Sequence, residues 1–210
     1  FVVSAFEFFF SFYGLLLGFS VAELVGGFAR VLHERQSVRF GWLTPLLAMF
    51  VAFDIATFWV QAWSIFRPAP FNFALLILGL VVASTFYMAA ALVFPRDPKA
   101  TPDLDEHFWK NRSLILLCVL AANMLMIGAF LAVTIPRGEL QVILPDYRWV
   151  GAVAFAVTTL LAAVVRNRKV VLVLLMLLVS YHVYNVARAT NALIEQGGWS
   201  LTEAPREAGS

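Results

Sequence analysis

Ionisable side chains occur inside long apolar stretches of this sequence, where burial in lipid costs about 2.5 kcal/mol or more for each charge. Glu23, Asp54 and His182 lie in such stretches. At a helical rise of about 1.5 Å per residue they come out about 11, 18 and 20 Å from the same end of their predicted helices, and Asn123 comes out about 15 Å from it. Acids, an imidazole and an amide at one mid-membrane depth are typical of proton relays and ion-binding sites.

Polar residues also follow one face of the second apolar segment. They are spaced three, four and three residues apart, at Asp54, Thr57, Gln61 and Ser64. This spacing keeps them on a single helical face, which either lines a water-filled path or packs against other helices. The last apolar segment has a comparable stripe at Tyr181, Tyr184, Asn185, Arg188 and Asn191. We expect Arg188 to extend to the outer interface rather than to pair with an acid.

Each of these residues also has a purely structural interpretation. Amide and hydroxyl side chains often only join neighbouring transmembrane helices, at on the order of 1 kcal/mol per bond. For Glu23 and Asp54 the cost of burying a charge weighs against that interpretation. His182 could be a satisfied interior group, a proton relay, or a ligand of a metal or haem.

Small residues form a ridge along the first apolar segment, at Gly14, Gly18, Ala22 and Gly26. Such a ridge lets another helix backbone approach closely. The partner is either another helix of the same chain or a second copy in a homo-oligomer. Because Glu23 follows Ala22, the acid is expected near that contact rather than in lipid.

A polar segment before the fourth apolar stretch contains Asp103, Glu106 and His107, which would share a helical face and could hold a divalent metal ion. The favoured interpretation is structural, with Asp103 as the N-cap and Glu106 completing a capping box. Phe108 and Trp109 would then anchor a helix at the membrane interface. We expect neither a metal nor an organic cofactor in this chain.

The elements that must position these residues are membrane-spanning helices. The 210 residues are 61% hydrophobic and only 13% charged, with a mean hydropathy of +0.84, so lipid is the expected solvent. A single membrane domain is predicted, an all-α polytopic bundle of six transmembrane helices followed by a tail from residue 193, with two halves of three helices that could be inverted repeats. The predicted spans cover about 1–32, 42–66, 71–94, 113–135, 149–165 and 170–192.

Orientation follows from the distribution of Lys and Arg. Ten Lys and Arg residues lie in or beside the first, third and fifth loops, whereas three lie in or beside the second and fourth. The positive-inside rule therefore predicts that the odd loops are cytoplasmic and both termini are outside, in a bacterial inner membrane. No basic region precedes the first apolar run, so no signal peptide is predicted.

The sequence lacks the residues or motifs that several classes of function require. A net charge of +2, scattered between apolar runs, gives no nucleic-acid footprint. Nucleotide-binding, zinc-protease and serine-hydrolase motifs are missing from the sequence. The lone Cys118 excludes an intrachain disulfide between these residues.

The leading hypothesis is a small channel or transporter that moves a cation or protons. Glu23 and Asp54 would be the charged groups of the pathway, and Asn123, His182 and Asn185 its polar relays. The competing hypothesis is a non-transporting scaffold or sensor that packs against a partner through the glycine ridge. A third is a membrane-embedded enzyme that acts on a lipid or quinone.

Overall fold

The computed structural model describes residues 5–66, 72–138 and 148–195. Those residues form an all-helical structure without a β-strand, in which a short 3₁₀ turn at Ile135–Arg137 accompanies six α-helices. The helices are α1 (Ala5–His33), α2 (Leu43–Phe66), α3 (Phe73–Val93), α4 (Leu104–Thr134), α5 (Arg148–Val164) and α6 (Arg168–Glu195). The last helix continues three residues into the segment predicted as a tail from residue 193, and the rest of that tail lies outside the described residues.

Five of the helices are long and apolar enough to cross a membrane, namely α1, α2, α3, α4 and α6. The fifth helix, α5, is apolar but has only 17 residues. Large apolar side chains cover the outside of the helices, for example Leu15 at 58% and Val150 at 72% exposure. Since a protein in water rarely exposes so much apolar surface, the chain is an integral membrane protein. The expectation of an all-α membrane protein is confirmed at this level.

The fourth helix begins at Leu104, well before the predicted start of its span near residue 113. The side chain of Asp103 caps it by accepting hydrogen bonds from the backbone amides of Asp105 at 2.9 Å and Glu106 at 3.3 Å. The expected N-cap is therefore confirmed. No proline or glycine interrupts the chain between this cap and the apolar run, so the interfacial segment and the span form one continuous helix of 31 residues.

Side-chain and backbone bonds tie three helix starts together at one end of the bundle. The Thr44 hydroxyl, in the first turn of α2, donates to the carbonyl of Leu104 at 2.9 Å. Arg168, at the start of α6, forms an ion pair with Asp105. The loop before α2 joins the same site through a backbone bond from Arg39 to the carbonyl of Pro102, at 2.7 Å. We call this end, which carries loops 34–42, 94–103 and 165–167, the basic end; α2, α4 and α6 all start there and run parallel.

The fifth helix runs antiparallel beside α4 over nearly its whole length. Near the basic end the Ser113 hydroxyl donates to the carbonyl of Ala163 at 2.6 Å. Near the opposite end the rings of Phe130 and Trp149 lie 6.3 Å apart. The residues that make these two contacts lie 14 positions apart in α5 and 17 positions apart in α4.

The two halves of the chain pack differently. In the first half α1 lies closely along α3, whereas α4 and α6 make no comparable contact among the described residues. Aromatic rings fill the interior beside α1, with Tyr13 against Phe58 at 6.4 Å and Phe58 against Phe86 at 4.9 Å. The packing therefore gives no support to two inverted halves of equal structure.

The substitution Gly41→Ala should destabilise the basic end. A Cβ atom at Gly41 would lie 1.8 Å from Oδ1 of Asp105, so the carboxylate that pairs with Arg168 must move. We expect a loss of about 1–3 kcal/mol in the free energy of unfolding, measured by denaturant titration in mixed micelles. Gly128→Ala is the control, because nothing lies within 4 Å of its Cβ position; an equal loss in both variants would contradict the prediction.

Candidate functional site

Four polar side chains meet in the interior of the bundle, and we call them the central cluster: Asp54, Thr57, Asn123 and His182. Asn123 donates from Nδ2 to Oδ2 of Asp54 at 2.8 Å. Nε2 of His182 lies 3.6 Å from Oδ1 of the same carboxylate, slightly longer than a hydrogen bond. Nδ1 of His182 lies 3.2 Å from the hydroxyl of Thr57. Asp54 is only 3% exposed and His182 only 1%, whereas Thr57 and Asn123 are half-buried, so the two titratable groups lie at the closed centre of the cluster.

Three parallel helices supply these residues, two from α2 and one each from α4 and α6. Asp54 lies ten residues after Thr44, and His182 lies fourteen after Arg168. At the helical rise these separations are about 15 and 21 Å, which brings both side chains to the middle of a hydrocarbon core about 30 Å thick. The bonds at the basic end fix the level at which the helices start, and so bring the cluster residues into register.

Aromatic rings surround the imidazole. Ring centroids of Phe50, Phe53, Phe155 and Tyr181 lie between 5.7 and 6.4 Å from that of His182. Phe50 and Phe155 are themselves buried. A carboxylate and an imidazole inside an apolar shell interact more strongly than they would in water, because the local dielectric constant is low.

The arrangement is suited to holding and passing a proton. A Thr57 hydroxyl that donates to Nδ1 leaves the ring proton of a neutral His182 on Nε2, the nitrogen that faces Asp54. One additional proton can reside on either the imidazole or the carboxylate without a change in the net charge of the pair. Asn123 also donates to the carboxylate, and its Nδ2 lies 3.0 Å from the carbonyl of Val119, so its orientation is fixed.

Glu23 has a different environment from the other predicted pathway residues. It pairs with Arg30 of the same helix at 2.8 Å, and the two side chains are 29% and 42% exposed. The depth estimate put Glu23 in the same layer as Asp54, but its neighbour is a base two turns further along α1.

The remaining pathway candidates extend from the central cluster toward the end opposite the basic end. Asn185 is half-buried one turn beyond His182, and Gln61 is exposed one turn beyond Thr57. Arg188 is exposed a further turn along α6. The side chain of Ser64, the last member of the α2 stripe, lies outside the described part of the chain.

The glycine ridge of α1 is packed at one end only. A Cβ at Gly14 would lie 2.8 Å from Cζ2 of Trp59, whereas nothing lies within 4 Å of the Cβ position of Gly18. Ala22 is exposed, and the nearest group to Gly26 is the guanidinium of Arg30, at 3.6 Å. The ridge thus contacts α2 at Gly14, and the described residues leave its middle uncovered.

Two of the three candidate metal ligands, Asp103 and His107, have other partners. Asp103 caps α4, and Nε2 of His107 lies 3.0 Å from the carbonyl of Leu92. Asn111 approaches the same imidazole at 3.3 Å, while Glu106 is exposed. Within the described ranges, no three His, Cys, Asp or Glu side chains are grouped as a metal site would require.

Sequence reasoning missed two features of the interior. The aromatic shell was partly predictable, since Phe50 and Phe53 lie four and one residues before Asp54 on the same helix. Nothing in the sequence indicates that Phe155 contacts His182, because only the packing of α5 brings the two rings together. The sequence gives Arg112 only as one of the basic residues near the odd loops, but it is 4% exposed and its guanidinium lies 4.4 Å from the Trp109 ring; their spacing of three residues was the available clue.

Comparison with models of protein families, with curated proteins and with solved structures finds no match to this chain. Its function must therefore be inferred from the residues described above.

Removal of the Asn123 amide should destabilise the bundle. Asn123→Ala leaves Oδ2 of the buried Asp54 carboxylate without its donor, which should cost about 1–3 kcal/mol in the free energy of unfolding. Asn185→Ala, at a half-buried amide on α6, should change it by no more than about 0.5 kcal/mol. When Asp54 is already replaced by Asn, Asn123→Ala should lower the free energy of unfolding by less than it does in the wild type. Equal losses with and without Asp54→Asn would show that the amide and the carboxylate are not coupled.

Proposed function

We propose that this chain is a small membrane transporter that moves protons through the central cluster, with Asp54 and His182 as the groups that carry the proton. The observation that carries this proposal is the contact of an acid and an imidazole, 3.6 Å apart, each less than 4% exposed. Titratable groups buried at mid-membrane depth are expensive to keep and commonly mark proton pathways. Asn123 and Thr57 act as orienting groups for the pair.

The surroundings of the central cluster favour a gated transporter over an open pore. Between the cluster and the basic end, α2 presents Leu47, Phe50 and Val51, all 0% exposed. In the opposite direction the parallel helices α2 and α6 carry Gln61 and Asn185 at similar levels. On α2 a proton thus meets Gln61 one turn beyond the cluster and nine apolar residues, 45–53, on the other side, as expected of a state open to one side only.

We further propose six crossings, with the basic end in the cytoplasm of a bacterial cell and α5 as the short fifth span. The two residues of α5 that contact α4, Trp149 and Ala163, lie 14 positions apart. This separation is about 21 Å of helix, which is most of a hydrocarbon core about 30 Å thick. An even number of crossings places both ends of the described chain on the same side. The excess of Lys and Arg at the basic end supports its cytoplasmic location.

Proton flux into liposomes tests the proposal. Full-length protein is reconstituted with a pH-sensitive dye inside, a potential is applied with valinomycin, and acidification is recorded. Asp54→Asn and His182→Gln should each lower the protein-dependent flux by at least about tenfold, because each removes a group that holds the proton while keeping a polar side chain of similar size.

Glu23→Gln is the matched control for that measurement, since it also neutralises an acid in an apolar helix, but one that pairs with Arg30. It should retain most of the flux. Unchanged flux in both cluster variants, or no protein-dependent flux at any applied potential, would refute proton transport through Asp54 and His182.

A second candidate function, a scaffold that associates through α1, is favoured by the uncovered middle of the glycine ridge. No atom of the described residues lies within 4 Å of the Cβ position of Gly18, and the partly exposed Glu23–Arg30 pair lies at the Gly26 end of the ridge, where a guanidinium nitrogen of Arg30 is 3.6 Å from the Cβ position. A charged pair on an apolar helix surface is costly in lipid. A second copy of the chain packed on this face would cover both features.

The substitution Gly18→Leu tests that candidate. It should leave the folded monomer intact, because its side chain meets open space, and should reduce any dimer fraction measured by sedimentation in density-matched detergent by about fivefold or more. Gly14→Leu is the comparison, since its side chain must displace Trp59 and should lower stability instead. A wild-type chain that remains monomeric at high protein-to-detergent ratio would eliminate association through this ridge.

A further inference from the structure

A cleft opens between the first turns of α4 and the last turn of α5, at the basic end of the bundle. Its volume is about 600 Å³, and Arg112, Arg166 and Trp109 line it. Sites for small molecules have volumes of roughly 300–1,000 Å³. The cleft is remote from the central cluster along α4, since Arg112 precedes Asn123 by eleven residues, about 16 Å of helix.

Arg112 is held rigidly with part of its hydrogen-bonding capacity unused. Its side chain is buried, and Nη1 donates to the carbonyl of Ala162 at the end of α5. The guanidinium lies 4.4 Å from the centroid of the Trp109 ring. Its Nε is buried and has no hydrogen-bond partner among the described residues. Buried donors in native proteins normally have a partner, so the hydrogen bonding of this guanidinium is incomplete within the described structure.

The cleft carries positive charge that the described part of the chain does not neutralise. Arg166 lines the cleft with Arg112, and the two guanidinium groups repel each other. Among the described residues neither has a carboxylate within 4.0 Å, whereas the nearby Arg168 pairs with Asp105. The carbonyls of Ala162 and Ala163, which would repel an anion, already accept bonds from Arg112 and Ser113. An anion in the cleft would relieve the repulsion.

Part of the lining of the cleft is apolar and indicates what kind of anion fits. Leu117 and Val164 belong to this part and are 45% and 61% exposed. Leu117 lies five residues beyond Arg112, about 7.5 Å further into the membrane. We propose that the cleft binds an anionic phospholipid, with the headgroup phosphate at Arg112 and Arg166 and an acyl chain along Leu117 and Val164. Inorganic phosphate would satisfy the arginines but leave this apolar part of the lining uncovered.

Native mass spectrometry of the full chain in nonionic detergent tests the proposal. The probes are dioctanoyl phosphatidylglycerol, phosphatidylcholine with the same chains, and inorganic phosphate. Phosphatidylglycerol should bind at least about fivefold more tightly than phosphatidylcholine, and Arg166→Gln should weaken it about fivefold through the loss of one charge. Arg166 is exposed in a loop, so this variant should fold. Arg112→Lys keeps the charge but loses the planar fork, and should weaken binding as well.

Arg96→Gln is the matched control, since Arg96 is an exposed arginine at the basic end that does not line the cleft. It should bind phosphatidylglycerol as the wild type does. An equal loss with Arg96→Gln would overturn the cleft in favour of general attraction to the basic end. Inorganic phosphate binding as tightly as phosphatidylglycerol would overturn the lipid assignment, and absence of phosphatidylglycerol adducts would overturn the site itself.

Discussion

The carboxylate of Asp54 imposes the strongest constraint on this bundle. A charge or an unpaired acid in hydrocarbon is costly, and the cost falls only when donors from the protein replace water. No single helix supplies them: Asn123 comes from α4 and His182 from α6. Three parallel helices must therefore converge at the level of Asp54, and α1, α3 and α5 pack around that arrangement.

Bonds at the basic end determine whether that convergence succeeds. Thr44 and Arg168 both attach to the first turn of α4, at Leu104 and Asp105. A helix is stiff along its axis, so fixing where α2, α4 and α6 begin also fixes which residues face one another about 15–20 Å further on. Gly41 belongs to the same structure, because only a residue without a side chain leaves room for the Asp105 carboxylate.

The level of each polar residue along its helix was predictable from the sequence, but the direction in which its side chain points was not. Lengths of apolar runs indicated the helices, and counting residues along them put Asp54, Asn123 and His182 in one layer. Glu23 satisfied the same count, yet it pairs with Arg30, because depth along an axis does not say which neighbour a side chain faces. The early start of α4 has two local signals, the Asp103 cap and the absence of a proline or glycine between that cap and the apolar run. Phe155 could not be found, since its contact with His182 depends on how α5 packs.

The two polar regions of the bundle differ in how their charge is compensated. In the central cluster an acid faces a base and an amide donor, so every charge has a partner inside the protein. In the cleft two guanidinium groups line the same space, and the described part of the chain places no carboxylate within 4.0 Å of either, so the proposed lipid phosphate would supply the compensation. Both regions share α4, and α5 contacts each of them, through Ala162 at Arg112 and through Phe155 at His182. Because packed interiors transmit displacement rather than absorb it, a ligand that draws Arg112 and Arg166 together would act on α4, which supplies Asn123 to Asp54, and on α5, which supplies Phe155 to the shell of the imidazole.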